Sequence, residues 1–278
     1  MYTLKRYKSM KNLKLIMAIL FMGIATGISG QEKSIDLFTI PLSSPGNEGL
    51  LEVEQVRGSI TVNAYEGKEV IVKVSVDEDE VKTTKTKAGL KRIGGSGLNI
   101  SAEEKNNIVQ IENEAWNKKT DFDIKVPANF SLKLSTVNEG DIYVKGVTGS
   151  LEISNVNGHI TLDNVSGSVT TNTTNGEVKV SFDRIANQDN MAFSSFNGDV
   201  EVTFPSSLKA NIKAKSEMGD VYTDFNMVVS DNKPQVDTSK SSGKYKVKIE
   251  QWVRGTINGG GPEMLFKTFN GDILIKSR

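Results

Sequence analysis

Between Gly140 and Val180 the chain alternates polar and apolar residues in units of nine, each opened by a glycine: Gly140, Gly149, Gly158, Gly167 and Gly176. The unit Gly149-Ser-Leu-Glu-Ile-Ser-Asn-Val-Asn157 shows the plan. Apolar residues at its third and fifth places share one face of a strand, because strand side chains alternate with period two. The next apolar residue, Val156, falls three places on. A bend therefore interrupts the strand just before each glycine.

Alternate units resemble one another more than neighbours do. Val137-Asn-Glu-Gly140-Asp-Ile142, Val156-Asn-Gly158-His-Ile160 and Thr174-Asn-Gly176-Glu-Val178 form one set. Phe196-Asn-Gly198-Asp-Val200, Glu217-Met-Gly219-Asp-Val221 and Phe269-Asn-Gly271-Asp-Ile273 extend it. Thr148-Gly149-Ser-Leu151 and Ser166-Gly167-Ser-Val169 lie between them and lack the Asn. The repeat is therefore a pair of units, with Gly140, Gly158, Gly176, Gly198 and Gly219 spaced by 18, 18, 22 and 21. Gly and Asn tolerate positive φ, so the recurrent Asn-Gly predicts a recurrent tight corner. Asn-Gly is also a hairpin signal, and a meander, sandwich or barrel is the competing architecture. A meander gives alternate turns no reason to match, whereas stacked coils do. The pattern predicts a parallel β-solenoid with coils of about 18–22 residues, in which Ile160 lies beside Val178 in parallel and Asn157, Asn175 and Asn197 stack.

The flanks are rich in strand-like segments, among them Ser34–Ile40, Leu50–Val56, Glu69–Val76, Ile108–Glu112 and Phe122–Val126. Val56-Arg-Gly58-Ser-Ile60 and Val253-Arg-Gly255-Thr-Ile257 read as the same corner at the two ends. Asp77–Gly97 and Arg184–Asn190 read as polar loop excursions. No segment after residue 30 holds a helical period. The expected fold class is all-β, a parallel β-helix-like solenoid with irregular strand-rich caps at both ends. Residues 31–278 are expected to form one domain: irregular N-terminal strands and loop over 31–130, the regular array over 131–225, and C-terminal coils and cap over 226–278. The strands before residue 131 and the segment Tyr245–Arg278 are the expected caps.

Composition narrows the chemistry. The 278 residues include no Cys and a single His, His159. That excludes disulfides, thiolate zinc sites and catalytic thiols, and argues against a His-based triad or multi-His metal site. The net charge of zero hides an asymmetry: residues 1–30 carry Lys5, Arg6, Lys8, Lys11 and Lys14 and no acid, so the remainder is at −5. That basic start leads into the apolar run Leu15–Ile24 and then Ala25, Gly27, Ser29 and Gly30. Ten apolar residues reach about 15 Å as a helix, roughly half a bilayer core. The pattern is that of a secretory signal peptide over 1–30, with Gln31 as the mature start; an uncleaved anchor is the alternative. The mature chain is then exported, to the periplasm, cell surface or medium, with no membrane span. Its acidic balance argues against nucleic acid as a partner.

The array and its flanks resemble a bacterial family of β-strand-repeat proteins of unknown function named putative adhesins, related to head domains of putative autotransporter adhesins. The resemblance rests on Gly58-Ser-Ile-Thr-Val62, Phe122-Asp-Ile-Lys-Val-Pro127, the Gly140–Val180 array, Gly259-Gly-Gly-Pro262 and Lys267-Thr-Phe-Asn-Gly-Asp-Ile-Leu-Ile275. It covers most of the mature chain. It implies a β-helix-like solenoid and an envelope or surface role rather than an enzyme. No functional residue carries over from it.

Stacked coils would bring Asp141, His159, Glu177, Asp199, Asp220 and Asp272 into one column, about 4.8 Å apart. A carboxylate column could take Ca²⁺. The nonapeptide calcium roll, however, needs its motif in every unit, and Ser150 and Ser168 stand in the alternate ones. The column reads as a solvated corner, and His159, which lacks a second His, as a surface residue. The acids single out no pair for glycoside hydrolysis. Trp116 and Trp252 read as core or cap, and Gly259-Gly-Gly-Pro262 as a turn without the Lys-Ser/Thr of a phosphate loop. Thr136, Ser154, Asn155, Asn172, Thr173, Ser194, Ser195 and Thr268 are placed to bond from coil to coil as ladders. No catalytic, metal or cofactor-binding residue and no cofactor is assigned. The sequence favours an exported, non-catalytic, adhesin-like envelope or surface protein whose partner is an envelope or surface polymer or protein. The alternative is a polysaccharide-active or carbohydrate-binding β-helix protein.

Overall fold

Short apolar-alternating strands separated by matching corners bury their inner faces in this chain by coiling. The computed structural model describes residues 33–77, 100–185, 189–230, 235–241, 244–250 and 252–278. The signal peptide expected over 1–30 and nearly all of the excursion expected over Asp77–Gly97 lie outside them, as does part of Arg184–Asn190. Gln31–Arg278 forms one compact unit.

In chain order the strands begin with β1 (Lys33–Pro41), β2 (Gly49–Glu54), β3 (Ile60–Tyr65), β4 (Glu69–Asp77) and β5 (Ile100–Lys105). There follow β6 (Ile108–Asn113), β7 (Thr120–Pro127), β8 (Phe130–Thr136), β9 (Ile142–Lys145), β10 (Leu151–Asn157) and β11 (Ile160–Val165). Next come β12 (Val169–Asn175), β13 (Val178–Phe182), β14 (Met191–Asn197), β15 (Val200–Phe204), β16 (Ala210–Ser216) and β17 (Val221–Thr223). The last are β18 (Met227–Val229), β19 (Gln235–Ser241), β20 (Lys244–Glu250), β21 (Val253–Ile257), β22 (Glu263–Thr268) and β23 (Ile273–Ser277). Each coil gives one strand to each of two long sheets. One runs β1-β4-β7-β3-β9-β11-β13-β15-β23-β17; the other runs β18-β21-β16-β22-β14-β12-β10-β8-β2-β6-β5.

Pairing decides between solenoid and meander. Ile160 lies beside Val178 and Leu162 beside Val180 in a parallel ladder, 18 residues apart. Val178 in turn lies beside Val200. On the other sheet Leu151 lies beside Val169 and Leu132, again in parallel. Parallel strands need a crossover, and the intervening nine-residue unit supplies it on the opposite sheet. The fold is a two-sheet β-solenoid.

The inward residues are those the period of two selects. Ile142, Val144, Leu151, Ile153, Ile160, Leu162, Val169, Val178, Val180, Val200 and Val202 are all buried. Each such side chain contributes about 1.5–3 kcal/mol by leaving water. An aromatic cluster fills the wider coils: Phe182 stacks on Phe204 at 5.0 Å and Phe193 on Phe266 at 5.1 Å, with the two pairs meeting edge to face.

Coil order departs from chain order at two places. The coil β2–β3 lies between β6–β7 and β8–β9. The C-terminal coil β22–β23 lies between β14–β15 and β16–β17. Glu263–Ser277 is thus an interior coil and not the cap expected of Tyr245–Arg278. The ends are closed by antiparallel strands instead: β1, β4 and β5 at one, β21 and β18 at the other. Gly255, expected at a corner, sits inside β21, opposite Ile212 and Val229.

Candidate functional site

One corner of seven stacked coils, from β2–β3 to β16–β17, carries the features singled out in the sequence. At its centre is a column of glycines, Gly58, Gly140, Gly158, Gly176, Gly198, Gly271 and Gly219, each packed against the carbonyl of the one before. A Cβ on Gly176 would stand 2.1 Å from the Gly158 oxygen, and one on Gly198 2.1 Å from that of Gly176. The glycines are required by this axial approach. Positive φ, expected of the corner, falls on its glycines at Gly58, Gly176, Gly198 and Gly271, while Asn157, Asn175 and Asn197 keep negative φ and Gly140, Gly158 and Gly219 lie outside the left-handed region.

Three polar columns fix the corner. Buried Thr136, Asn155, Thr173, Ser195 and Thr268, and half-buried Ser216, donate to the carbonyls of Gly58, Gly140, Gly158, Gly176, Gly198 and Gly271, at 2.8–3.0 Å. Outside them, the Asn157 amide donates to Asn138, Asn175 to Asn157 and Asn197 to Asn175, each at 2.8 Å. Of the other expected ladder residues, Ser194 bonds Asn172 Oδ1 and the Thr171 carbonyl on the outer sheet face.

The third column is the acidic one, and it forms as spaced. Asp141 Oδ1 accepts the His159 N–H at 2.7 Å, and His159 Nδ1 accepts the Glu177 N–H at 3.0 Å. Asp199 Oδ1 accepts from Asp272 N–H, and Asp272 Oδ1 from Asp220 N–H. One side-chain atom of Asp141, His159, Asp199 and Asp272 thus serves the next coil's backbone. Among the described residues, no three His, Cys, Asp or Glu side chains converge as a metal group. The column's field is felt by Tyr222, whose hydroxyl is held above its usual value by Asp220 first and Asp272 next.

The remaining chemical candidates are occupied structurally. Trp252 is half-buried, with Lys213 Nζ 4.7 Å and Lys215 Nζ 5.7 Å from its ring. Gly259 and Gly260 take positive φ in the turn between β21 and β22. On the outer sheet face, Lys145 bridges Asp163 at 2.9 Å, and Glu201 lies between Lys276 (2.9 Å) and Lys179 (3.6 Å). Burial pushes the Glu201 carboxyl up, but the two lysines outweigh it and hold it low. A shallow groove on the other sheet is lined by Glu52, Lys133 and Glu152 beside a short serine ladder, Ser131, Ser150 and Ser168.

What the sequence reasoning missed is the outermost part of the glycine corner. Directly before the Asn column stand Val56, Val137, Val156, Thr174, Phe196 and Phe269, side by side across parallel coils. All the apolar ones are exposed, Phe196 by 50% and Phe269 by 41%. Trp116 and Met218 sit on corner segments of the same edge and are exposed by 70% and 67%. Seven of the twelve exposed large hydrophobics among the described residues thus lie on one edge. Phe196 and Phe269 stack at 4.8 Å with rings 5° from parallel. The shared Phe-Asn-Gly-Asp of 196–199 and 269–272 was the available signal.

Comparison with known proteins agrees with this architecture. A solved structure named "putative cell adhesion protein", from Clostridium sporogenes, aligns with a TM-score of 0.51 at 15% identity, covering 89% of this chain and all of that one. A "putative adhesin" from Bacteroides fragilis aligns at 11% identity with a TM-score of 0.40, over 89% of this chain and 99% of its own. The first supports the fold. No curated protein matches the chain. Residues 131–258, which span most of the register-stacked coils, match the family model Toastrack DUF4097, so the family resemblance carried by the Asn-Gly corners holds.

Proposed function

We propose that the protein is an exported, non-catalytic, adhesin-like component of the cell envelope or surface that binds its partner through an extended repetitive edge. The carrying observation is the gathering of exposed apolar side chains on one solenoid corner, since monomeric soluble proteins seldom align such residues without a binding role. In the acidic column, one side-chain atom each of Asp141, His159, Asp199 and Asp272 is given to a coil-to-coil bond, which supports the non-catalytic reading. The name of the Clostridium sporogenes neighbour, a putative cell adhesion protein, points the same way. The basic, apolar and small-residue succession in residues 1–30 supports export.

The test has two arms. N-terminal sequencing of protein recovered from the envelope or medium should begin near Gln31; protein that starts at Met1 and stays in the cytoplasm would contradict export. The purified mature chain should bind whole cells or envelope fractions and release nothing from them. Turnover of an envelope polysaccharide would favour the enzymatic alternative.

A further inference from the structure

We propose that the glycine-corner edge is a docking rib for a basic amphipathic helix of a partner protein; this rests on the adhesin-like reading and names the chemistry of its partner. The rib from Val56 to Phe269 crosses six neighbouring coils, a run of about 24 Å at the coil spacing. Its exposed apolar residues are Val56, Val137, Val156, Phe196 and Phe269, with Thr174 completing the row. Across the corner lies the acidic column: Asp141 comes four residues after Val137, and His159, Glu177, Asp199 and Asp272 come three after Val156, Thr174, Phe196 and Phe269. Asp141, Glu177, Asp199 and Asp272 make no ion pair among the described residues, and each carboxylate keeps an oxygen for a partner. The rib therefore offers an apolar line with an anionic border.

That pairing selects the occupant. A helix rises about 5.4 Å per turn, close to the coil spacing of about 4.8 Å, so successive turns can seat side chains on successive coils. Same-face side chains of an extended strand recur only every ~6.8 Å and fall out of step. About 16 helical residues cover the rib, with leucine-like side chains on it and lysine or arginine beside the acids. A second copy of this chain fits poorly, because rib against rib would oppose two acidic columns. A glycan would want an open aromatic face, and Phe196 and Phe269 each cover a face of the other. An anionic lipid surface is repelled by the same acids.

The probe is a 16-residue Leu/Lys amphipathic peptide, with a Leu/Glu peptide as its counterpart, titrated against the full mature chain by fluorescence anisotropy. The Leu/Lys peptide should bind and the Leu/Glu peptide should not. The paired substitution Phe196→Ser and Phe269→Ser should weaken binding about tenfold or more, the scale of truncating an interface anchor. The pair Asp199→Asn and Asp272→Asn keeps the side-chain acceptor for the next backbone N–H while removing charge. It should weaken binding and flatten its salt dependence. Glu152→Gln, on the sheet face, should leave binding unchanged. All variants should melt with the wild type.

Equal binding of both peptides, wild-type binding by the serine pair, or no binding by the wild-type chain would overturn the proposal. So would a finding that the serine pair abolishes glycan binding or self-association instead. If the mature chain binds envelope fractions and the Leu/Lys peptide does not displace it, the helical partner is wrong while the adhesin-like reading stands. If it binds neither cells nor envelope fractions, that reading itself fails.

Discussion

The Cα of Gly158 lies against the carbonyl oxygen of Gly140, and a Cβ added there would stand 2.1 Å from that oxygen and 2.6 Å from the Asn155 amide nitrogen. The oxygen is already held by Asn155, so neither neighbour can retreat without breaking the column. Gly158→Ala should therefore destabilise the fold by about 3 kcal/mol, the upper part of the range for overpacking. Gly46→Ala meets nothing within 4 Å and suffers only from its φ of +93°. It should cost about 1 kcal/mol. Urea unfolding of the two variants checks the order; equal costs would mean that the column relaxes around the added methyl and that axial clearance does not require glycine at 158.

Thr171 gives a prediction of opposite sign. Its hydroxyl is buried and has no hydrogen-bond partner, while its neighbours in the column are Ile153 and Phe193. Valine has nearly the same shape without the orphaned polar group. Thr171→Val should stabilise the protein by about 1 kcal/mol. A lower urea midpoint for the variant would show that the hydroxyl is satisfied in solution.

Much of this fold is legible in the sequence because the solenoid is quasi-one-dimensional. The 18-residue spacing from Gly158 to Gly176 is the register itself, and the alternation Ile160, Leu162 picks the buried face directly. The order of coils is not legible in the same way. Met264, Phe266, Ile273 and Ile275 have the pattern of any coil, and nothing local says that they slot beside Met191, Phe193, Val200 and Val202. Only the matching Phe-Asn-Gly-Asp corners hint at it, by pairing Phe196 with Phe269. Gly255 misleads for a related reason: a Val-Arg-Gly-Thr-Ile string fits a corner or an antiparallel strand equally well, and its partners β16 and β18 decide. The apolar rib is hidden because each member, taken singly, is an ordinary exposed residue. Stacking alone makes it continuous.

Acid pH should expose the ladder on the sheet face. The Asp163 carboxyl is held below its usual 3.8 chiefly by the hydrogen bond from Lys145; partial burial opposes this and the Ser181 hydroxyl supports it. A carboxyl lowered on folding contributes stability that is complete above the unfolded value and disappears as pH falls through the folded one. Asp163→Asn should therefore be less stable than wild type at pH 6, and the gap should close below about pH 4. Melting curves from pH 2 to 7 test this; a gap that persists at pH 2 would show that the charge of Asp163 is not what matters.

The C-terminal coil sets the last expectation. β22 pairs in parallel with β14 on one side and β16 on the other, and β23 likewise joins β15 to β17. Removing Glu263–Arg278 therefore opens a gap in the middle of the stack. Phe266 leaves Phe193 and Phe204, Ile273 leaves Val200, and the backbone groups on both flanking coils lose their ladders. Burial of large apolar side chains and parallel ladders on two sides are both lost, so truncation after Pro262 should abolish cooperative unfolding of the C-terminal half. The interior position also makes the loss reversible in trans. A peptide of residues 263–278 has a slot whose two walls are already sequence-complete, so adding it in excess should restore a cooperative melt whose midpoint rises with peptide concentration. If the truncated chain melts like the full one, the coil is peripheral. If the truncated chain loses cooperativity but the peptide restores nothing at any concentration, the flanking coils do not hold the slot open, and the C-terminal coil must fold together with β16–β17 as one unit.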